Sequence, residues 1–178
     1  MVPQIPVANI CEPEVTFFTI INVANNGGNS NMVWRMRGND ANSDILIRLF
    51  GVGNAFLELF VRSSNGQTLL ATDTVSVVAD GNSYLVVIQY SFLTKTGRII
   101  INGRVNSATN LLQNTFDFVA DPTSGFALNQ NAAGGAVFLG NTGELVFYDG
   151  ALISNANINT LANQFYLAKY PSLVWTNI

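Results

Sequence analysis

The stretch GELVFYDGALIS, residues 143–154, holds two of the chain's few carboxylates, Glu144 and Asp149, on what reads as one strand. Paired carboxylates cleave glycosidic bonds when they face each other across about 5–5.5 Å, or about 6.5–9.5 Å with a water between them. Strand positions five apart point to opposite faces and lie about 16 Å apart, at about 3.3 Å per residue. Glu144 and Asp149 therefore cannot form a catalytic pair within one strand. Glu12 and Glu14 have the i, i+2 spacing of one strand face, but they flank Pro13, a poor setting for a rigid dyad. The chain has no histidine. That excludes a Ser-His-Asp triad and a histidine-ligated metal, and leaves Cys11 with no imidazole to activate its thiol. The loops Asp40–Asp44 and Asp117–Asp121 could hold Ca²⁺ through carboxylates and carbonyls. An ordinary capped turn is the preferred reading of each, so no cofactor is expected. GVGN, from Gly51, lacks the spacing and the lysine of a phosphate-binding loop and reads as a hairpin turn.

The composition fits binding better than chemistry. Of the 178 residues 48% are hydrophobic, enough for a folded single domain, and only 11% are charged, against about 25% in ordinary soluble proteins. Asparagine, glycine, serine and threonine supply most of the surface polarity. Burying an amide in an interface requires a hydrogen bond, whereas burying a charge requires a counter-charge. A net charge of −3 with 8 scattered basic residues excludes a phosphate-neutralising surface, so no nucleic-acid partner is expected. No apolar run is long enough to cross a membrane as a helix. The start, MVPQIPVANICEP, lacks the basic and apolar regions of a secretory signal. With one cysteine and no such signal, folding in a reducing cytoplasm is expected.

Any site must be positioned by strands. VTFFTIINV (15–23) reads as a buried strand. MVWRMR (32–37) alternates, with Met32, Trp34 and Met36 on one face and Val33, Arg35 and Arg37 on the other. In FLELFVR (56–62), Leu57, Leu59 and Val61 face the core, and Phe56, Glu58, Phe60 and Arg62 face away. Asn65-Gly66, Asp80-Gly81 and Asn102-Gly103 are tight-turn signals between alternating runs, which predicts an antiparallel meander. Further strands are predicted over 114–119, 136–139 and 143–149. A helix is predicted over about 155–169, capped by Ser154, with Ile158, Leu161, Ala162, Phe165 and Ala168 on its packed face. Lys169 lies in its last turn and Pro171 ends it. The tail SLVWTNI reads as a final strand. The sum is an all-β sandwich with one C-terminal helix, comprising an extended arm (1–13) and a single domain (14–178).

YLVVIQYS followed by GRIIINGRVNSA resembles the central hairpin of concanavalin A-like or laminin-G-like jelly-roll domains. GELVFYDGALISNANINTLANQFYLAKYP resembles the strand-and-helix ending of such modules in bacterial and phage proteins. The likeness spans about residues 15–175 as a pattern and 84–108 and 143–171 as motifs. It implies an antiparallel jelly-roll sandwich of the lectin and glucanase type. Glycoside hydrolases of this fold carry Glu-x-Asp-x-x-Glu on one strand, and legume lectins carry Glu-x-Asp-x-aromatic-x-Asn for their metals. Neither pattern occurs here.

The expectation is a non-catalytic virion component, a capsid decoration protein or fibre module that folds in the host cytoplasm. It would contact capsid or tail proteins and copies of itself. The alternative is a lectin-like module that recognises host glycans. Pro3, Pro6 and Pro13 keep the arm extended, and Val2, Ile5, Val7 and Ile10 make it apolar, so the arm is expected to dock on a neighbouring subunit. Arg48, Glu58 and Arg62 form a polar patch, read as a solvated sheet face before a recognition site. Trp34, Tyr84 and Tyr90 read as core before sugar platforms. Tyr166 and Tyr170 are expected to pin the helix to the sandwich, and Trp175 to close the sandwich or dock on a partner.

Overall fold

The computed structural model describes residues 14–23, 31–37, 44–50, 56–62, 68–73, 82–91, 93–109, 127–128 and 140–178. The arm, Cys11, both aspartate loops apart from the last residue Asp44, the Asn65-Gly66 and Asp80-Gly81 turns and the strands expected at 114–119 and 136–139 lie outside them. Among the described residues ten strands form two sheets: β1 (Glu14–Val23), β2 (Asn31–Arg37), β3 (Asp44–Phe50), β4 (Phe56–Arg62), β5 (Thr68–Thr72), β6 (Ser83–Ser91), β7 (Thr96–Ile101), β8 (Arg104–Thr109), β9 (Ala127–Leu128) and β10 (Gly140–Asp149). One sheet has the order β10-β1-β6-β7-β8 and the other β5-β4-β3-β2-β9. Every recorded pairing is antiparallel. β5 and β6 belong to different sheets, so the expected meander is two shorter ones, β2 to β5 and β6 to β8.

The sequence after β10 forms the third layer. α1 (Asn155–Leu161), a π-helical turn (Ala162–Tyr166) and α2 (Leu167–Lys169) run on as one helical segment. Phe17, Ile21, Trp34, Ile45, Leu59, Val86, Ile88 and Ile99 fill the space between the sheets. Phe18, Ile20, Leu85, Val87 and Ile100 point the other way and meet Ile158, Ala162, Tyr166 and Leu173. β1 and β6 are thus buried on both faces. This is why their sequences run apolar without alternation.

Three expectations need correction. Val33 joins Trp34 in the inter-sheet core, because the β2–β3 register slips between Met32 and Trp34. A bulge leaves two residues opposite one and breaks the alternation of faces. On the helix, Tyr166 is buried while Phe165 stays 47% exposed. The π-helical turn, with its i→i+5 bonding, shifts the packed face by one position after Ala162. Finally, 173–178 contains no strand. Leu173, Trp175 and Ile178 instead pack on the helix-side core. The Trp175 indole donates to Asn159 Oδ1 at 3.1 Å. That same oxygen accepts from the Ile178 amide, and the Asn159 amide group donates to the Ile178 carbonyl. Ser154 does cap the helix, its side chain accepting from Asn157 N.

The Asn102-Gly103 hairpin is present, with φ of 51° and 88°, as the right-handed twist of the flanking strands requires. It also holds the tail, since Thr176 N donates to Asn102 O at 3.1 Å. A Cβ on Gly103 would lie 1.8 Å from the Thr176 carbonyl oxygen. Gly103→Ala should therefore cost about 1–2 kcal/mol in left-handed strain and lift the tail as well. Faster hydrogen exchange at Thr176 and Ile178 in the variant would register this. Unchanged exchange would mean that the tail is not held there.

Candidate functional site

A row of polar side chains crosses the helix-side face of the β10-β1-β6-β7-β8 sheet. Backbone register aligns Thr16 with Gln89, Gln89 with Arg98, and Arg98 with Ser107, one residue from each of β1, β6, β7 and β8. The next rung on one side, Phe18, Val87, Ile100 and Val105, is apolar, while on the other side Glu14, Ser91, Thr96 and Thr109 continue the polar face. The buried members of the row therefore need their own bonding. Thr16 Oγ1 donates to Ala151 O at 2.8 Å and accepts from Ile153 N and Gln89 Nε2, both at 3.1 Å. Gln89 Nε2 also donates to Ile153 O at 2.7 Å. These bonds fasten 151–153 to the sheet just before α1 begins.

The outer end of the row opens into a cleft of about 480 Å³ between β7–β8 and the segment 152–155. Gln89, Arg98 and Ser107 reach it from the sheet, Leu152 and Ile153 form an apolar wall, and Ser154 and Asn155 close the far side. The Arg98 guanidinium is half-buried. Its Nε donates to Gln89 Oε1 and its Nη2 to Asn155 Oδ1, the latter at 2.7 Å. Burial lowers the Arg98 pKa, yet a guanidinium stays charged at any ordinary pH. Among the described residues no carboxylate lines the cleft. The arrangement can therefore bind and orient a polar ligand, but the cleft itself offers no acid–base pair.

The described carboxylates with ion-pair partners hold elements together. Arg48 and Glu58, directly opposed on β3 and β4, form an ion pair. Thr72 Oγ1 donates to the other Glu58 oxygen at 3.1 Å, and the Arg48 guanidinium lies 4.5 Å from the Phe60 ring centroid. Glu58 is only 3% exposed, so this face is not the solvated patch expected. Arg62 lies four residues beyond Glu58 on the same strand face, separate from that pair. Asp73, just after β5, accepts from Arg104 and Asn106 of β8 and so ties one sheet to the other. Glu144 pairs with Lys169 and fastens β10 to the helix, and the hydrogen bond and charge of Glu144 raise the Lys169 pKa. Gly143 and Glu144 together oppose Ile20 in a bulge. Glu144 is thus a brace for the helix.

Trp34 and Tyr90 are completely buried and Tyr84 nearly so, as core residues. Tyr166 stacks on Phe18 with centroids 6.0 Å apart, and Tyr170 packs in the same layer. Burial first, then Glu144, Tyr148 and Tyr170, pushes the Tyr166 hydroxyl pKa upward. No group of three or more metal-ligating residues occurs among the described residues. Among them, too, no helix is long and apolar enough to cross a membrane. The arm residues Val2, Pro3, Ile5, Pro6, Val7 and Ile10 lie outside the described residues.

The architecture is that of the concanavalin A-like, laminin-G-like jelly rolls. Domains LG4-5 of the mouse laminin α1 chain superpose with a TM-score of 0.67 at 10% identity, over 85% of this chain and 40% of that one. The CBM40 of a Ruminococcus gnavus IT-sialidase, bound to α2,6-sialyllactose, gives 0.57 at 15%, over 84% and 82%. The enzymatically active domain of bacteriophage CBA120 tailspike protein 2 gives 0.60 at 14%, over 95% and 27%. The chain thus spans about two fifths of the laminin chain and about a quarter of the tailspike chain. No protein-family model matches the sequence. No curated protein matches it either.

Proposed function

We propose that this chain is a non-catalytic module of a viral particle, a capsid decoration or fibre element acting through protein–protein contacts. The breadth of the tailspike match carries this reading. Nearly the whole chain, 95%, aligns with about a quarter of a phage tailspike domain, so this sandwich occurs as one unit of a larger particle component. The low charge and the amide-rich surface suit contacts that must be desolvated. The hydroxyl, amide and guanidinium groups that line the cleft among the described residues suit a binding role. In this reading the module folds in the host cytoplasm, self-associates, and docks its arm, residues 1–13, on a neighbouring subunit.

Deleting residues 1–13 should abolish co-sedimentation with purified particles and leave the melting temperature of the sandwich unchanged. A truncated chain that still co-sediments would refute arm docking. A full-length chain that never co-sediments would refute the particle reading itself.

The cleft favours a second reading, a glycan-binding module. Its hydroxyls, amides and guanidinium are the groups that bind sugar hydroxyls, and about 480 Å³ accommodates one or two rings. A glycan array run with calcium and again with a chelator tests it. Reproducible binding to one sugar class is the expected result, and a blank array would remove the reading.

A further inference from the structure

Four cations of this fold can be compared. Arg48 closes on Glu58, Arg104 on Asp73 and Lys169 on Glu144. Arg98 closes on two amide oxygens, those of Gln89 and Asn155. Among the described residues no carboxylate contacts it, and its Nη1 carries no bond. Gln89 is 3% exposed and is fully engaged, donating twice through Nε2 while Oε1 accepts from Arg98. It cannot turn away. The guanidinium is therefore held in one orientation by a buried amide, with no described residue compensating its positive charge or using the edge that bears Nη1.

We propose that the cleft binds the carboxylate of an acidic sugar, with Arg98 as its anchor. The inference rests on the glycan-binding reading and names the ligand class of that site. A half-buried cation held by neutral groups is completed by an anion, and the planar guanidinium fork matches the two oxygens of a carboxylate. A simple anion would need nothing more. The cleft adds an apolar wall at Leu152 and Ile153, suited to the C–H face of a sugar ring. Hydroxyl and amide groups of Thr96, Ser107, Ser154 and Asn155 also line it, suited to ring hydroxyls. Burial of Gln89 and fixation of 151–153 by Thr16 keep this geometry in the free protein, so little ordering opposes binding.

The test is an NMR titration of the full chain with galacturonate and glucuronate, against galactose and glucose. The Arg98 Nε–H and the amides of Gly97, Ser107 and Ser154 report on the site. At least tenfold tighter binding of the uronates is expected, weakening with added salt. Arg98→Met should lose at least tenfold for the uronates while leaving any weak binding of the neutral sugars unchanged. Arg98→Lys should fall between, because an ammonium keeps the charge but not the fork. Leu152 is 41% exposed, so Leu152→Glu should fold normally and abolish uronate binding by placing a carboxylate at the site. Equal affinity for galactose and galacturonate would overturn the inference and leave the glycan reading standing. Silence towards both uronates would overturn it too, and the glycan array then decides separately whether the broader reading survives. Uronate binding that Arg98→Met leaves intact would place the anion elsewhere and also overturn it.

Discussion

Replacing Arg104 with methionine should destabilise the sandwich by about 3–5 kcal/mol, the range for a buried ion pair that loses one partner. For a domain of this length that lowers the melting temperature by about 10 °C. The Asp73 side chain is completely inaccessible to water, whereas Arg104 remains 34% exposed. Arg104 Nη2 donates to Asp73 Oδ2 at 2.7 Å, and Asn106 Nδ2 donates to Oδ1 at 3.1 Å. Methionine fills much of the same volume but leaves a carboxylate in the interior with one neutral donor. Asp73→Asn should cost less, about 1–2 kcal/mol, because Arg104 can turn its charge into water. The asymmetry is the sharp part of the expectation. Urea unfolding of both variants, followed by tryptophan fluorescence, measures it. Equal losses, or a loss below about 1 kcal/mol for Arg104→Met, would mean that the two sheets are held by their apolar core alone.

What the sequence made legible follows from where a single physical rule governs. The Asn102-Gly103 turn could be read because left-handed residues are scarce and few side chains tolerate them. The core positions Leu57, Leu59 and Val61 could be read because β4 runs without a bulge, so strict alternation holds. Alternation failed at Val33, where one extra residue enters β2, and the helical period failed at Phe165, where the π-helical turn adds one to the count. Both are insertions that leave no mark in residue type. The cleft was missed for another reason. Thr16, Gln89, Arg98 and Ser107 lie on four strands, and only register aligns them. The available signal was Gln89 itself, a lone amide inside the apolar run YLVVIQYS. Such a residue must find partners once buried, and those partners proved to be the row. Arg48 and Glu58 were correctly placed on one face, but how deeply Glu58 is buried depends on how closely the neighbouring groups cover it.

Trp34→Ala is the second large effect, and it separates the scaffold from the cleft. Trp34 is completely buried at the β2 bulge. Its ring meets Phe17 edge-on at 4.8 Å between centroids, and Phe17 meets Phe147 at 4.6 Å. The indole thus links the β2 sheet to β1 and β10 of the other sheet through one aromatic chain. Truncation opens a cavity that the rigid β framework cannot fill by collapse, so a loss of about 3–5 kcal/mol is expected. Trp34→Phe should cost less, since a ring remains to meet Phe17. Trp34 fills the inter-sheet side of the β1–β6–β7 layer, whereas the polar row that contains Arg98 lies on its helix side. Damage to one face reaches the other only through the strands, which stay hydrogen-bonded in the folded fraction. Trp34→Ala should therefore lower the urea midpoint substantially while the folded protein keeps its uronate affinity within about twofold, as expected for independent sites. A variant of normal stability would mean that the indole is not the keystone of the inter-sheet core. A folded variant that no longer binds would show that the cleft depends on inter-sheet packing and is not set by the Thr16–Gln89 bonds alone.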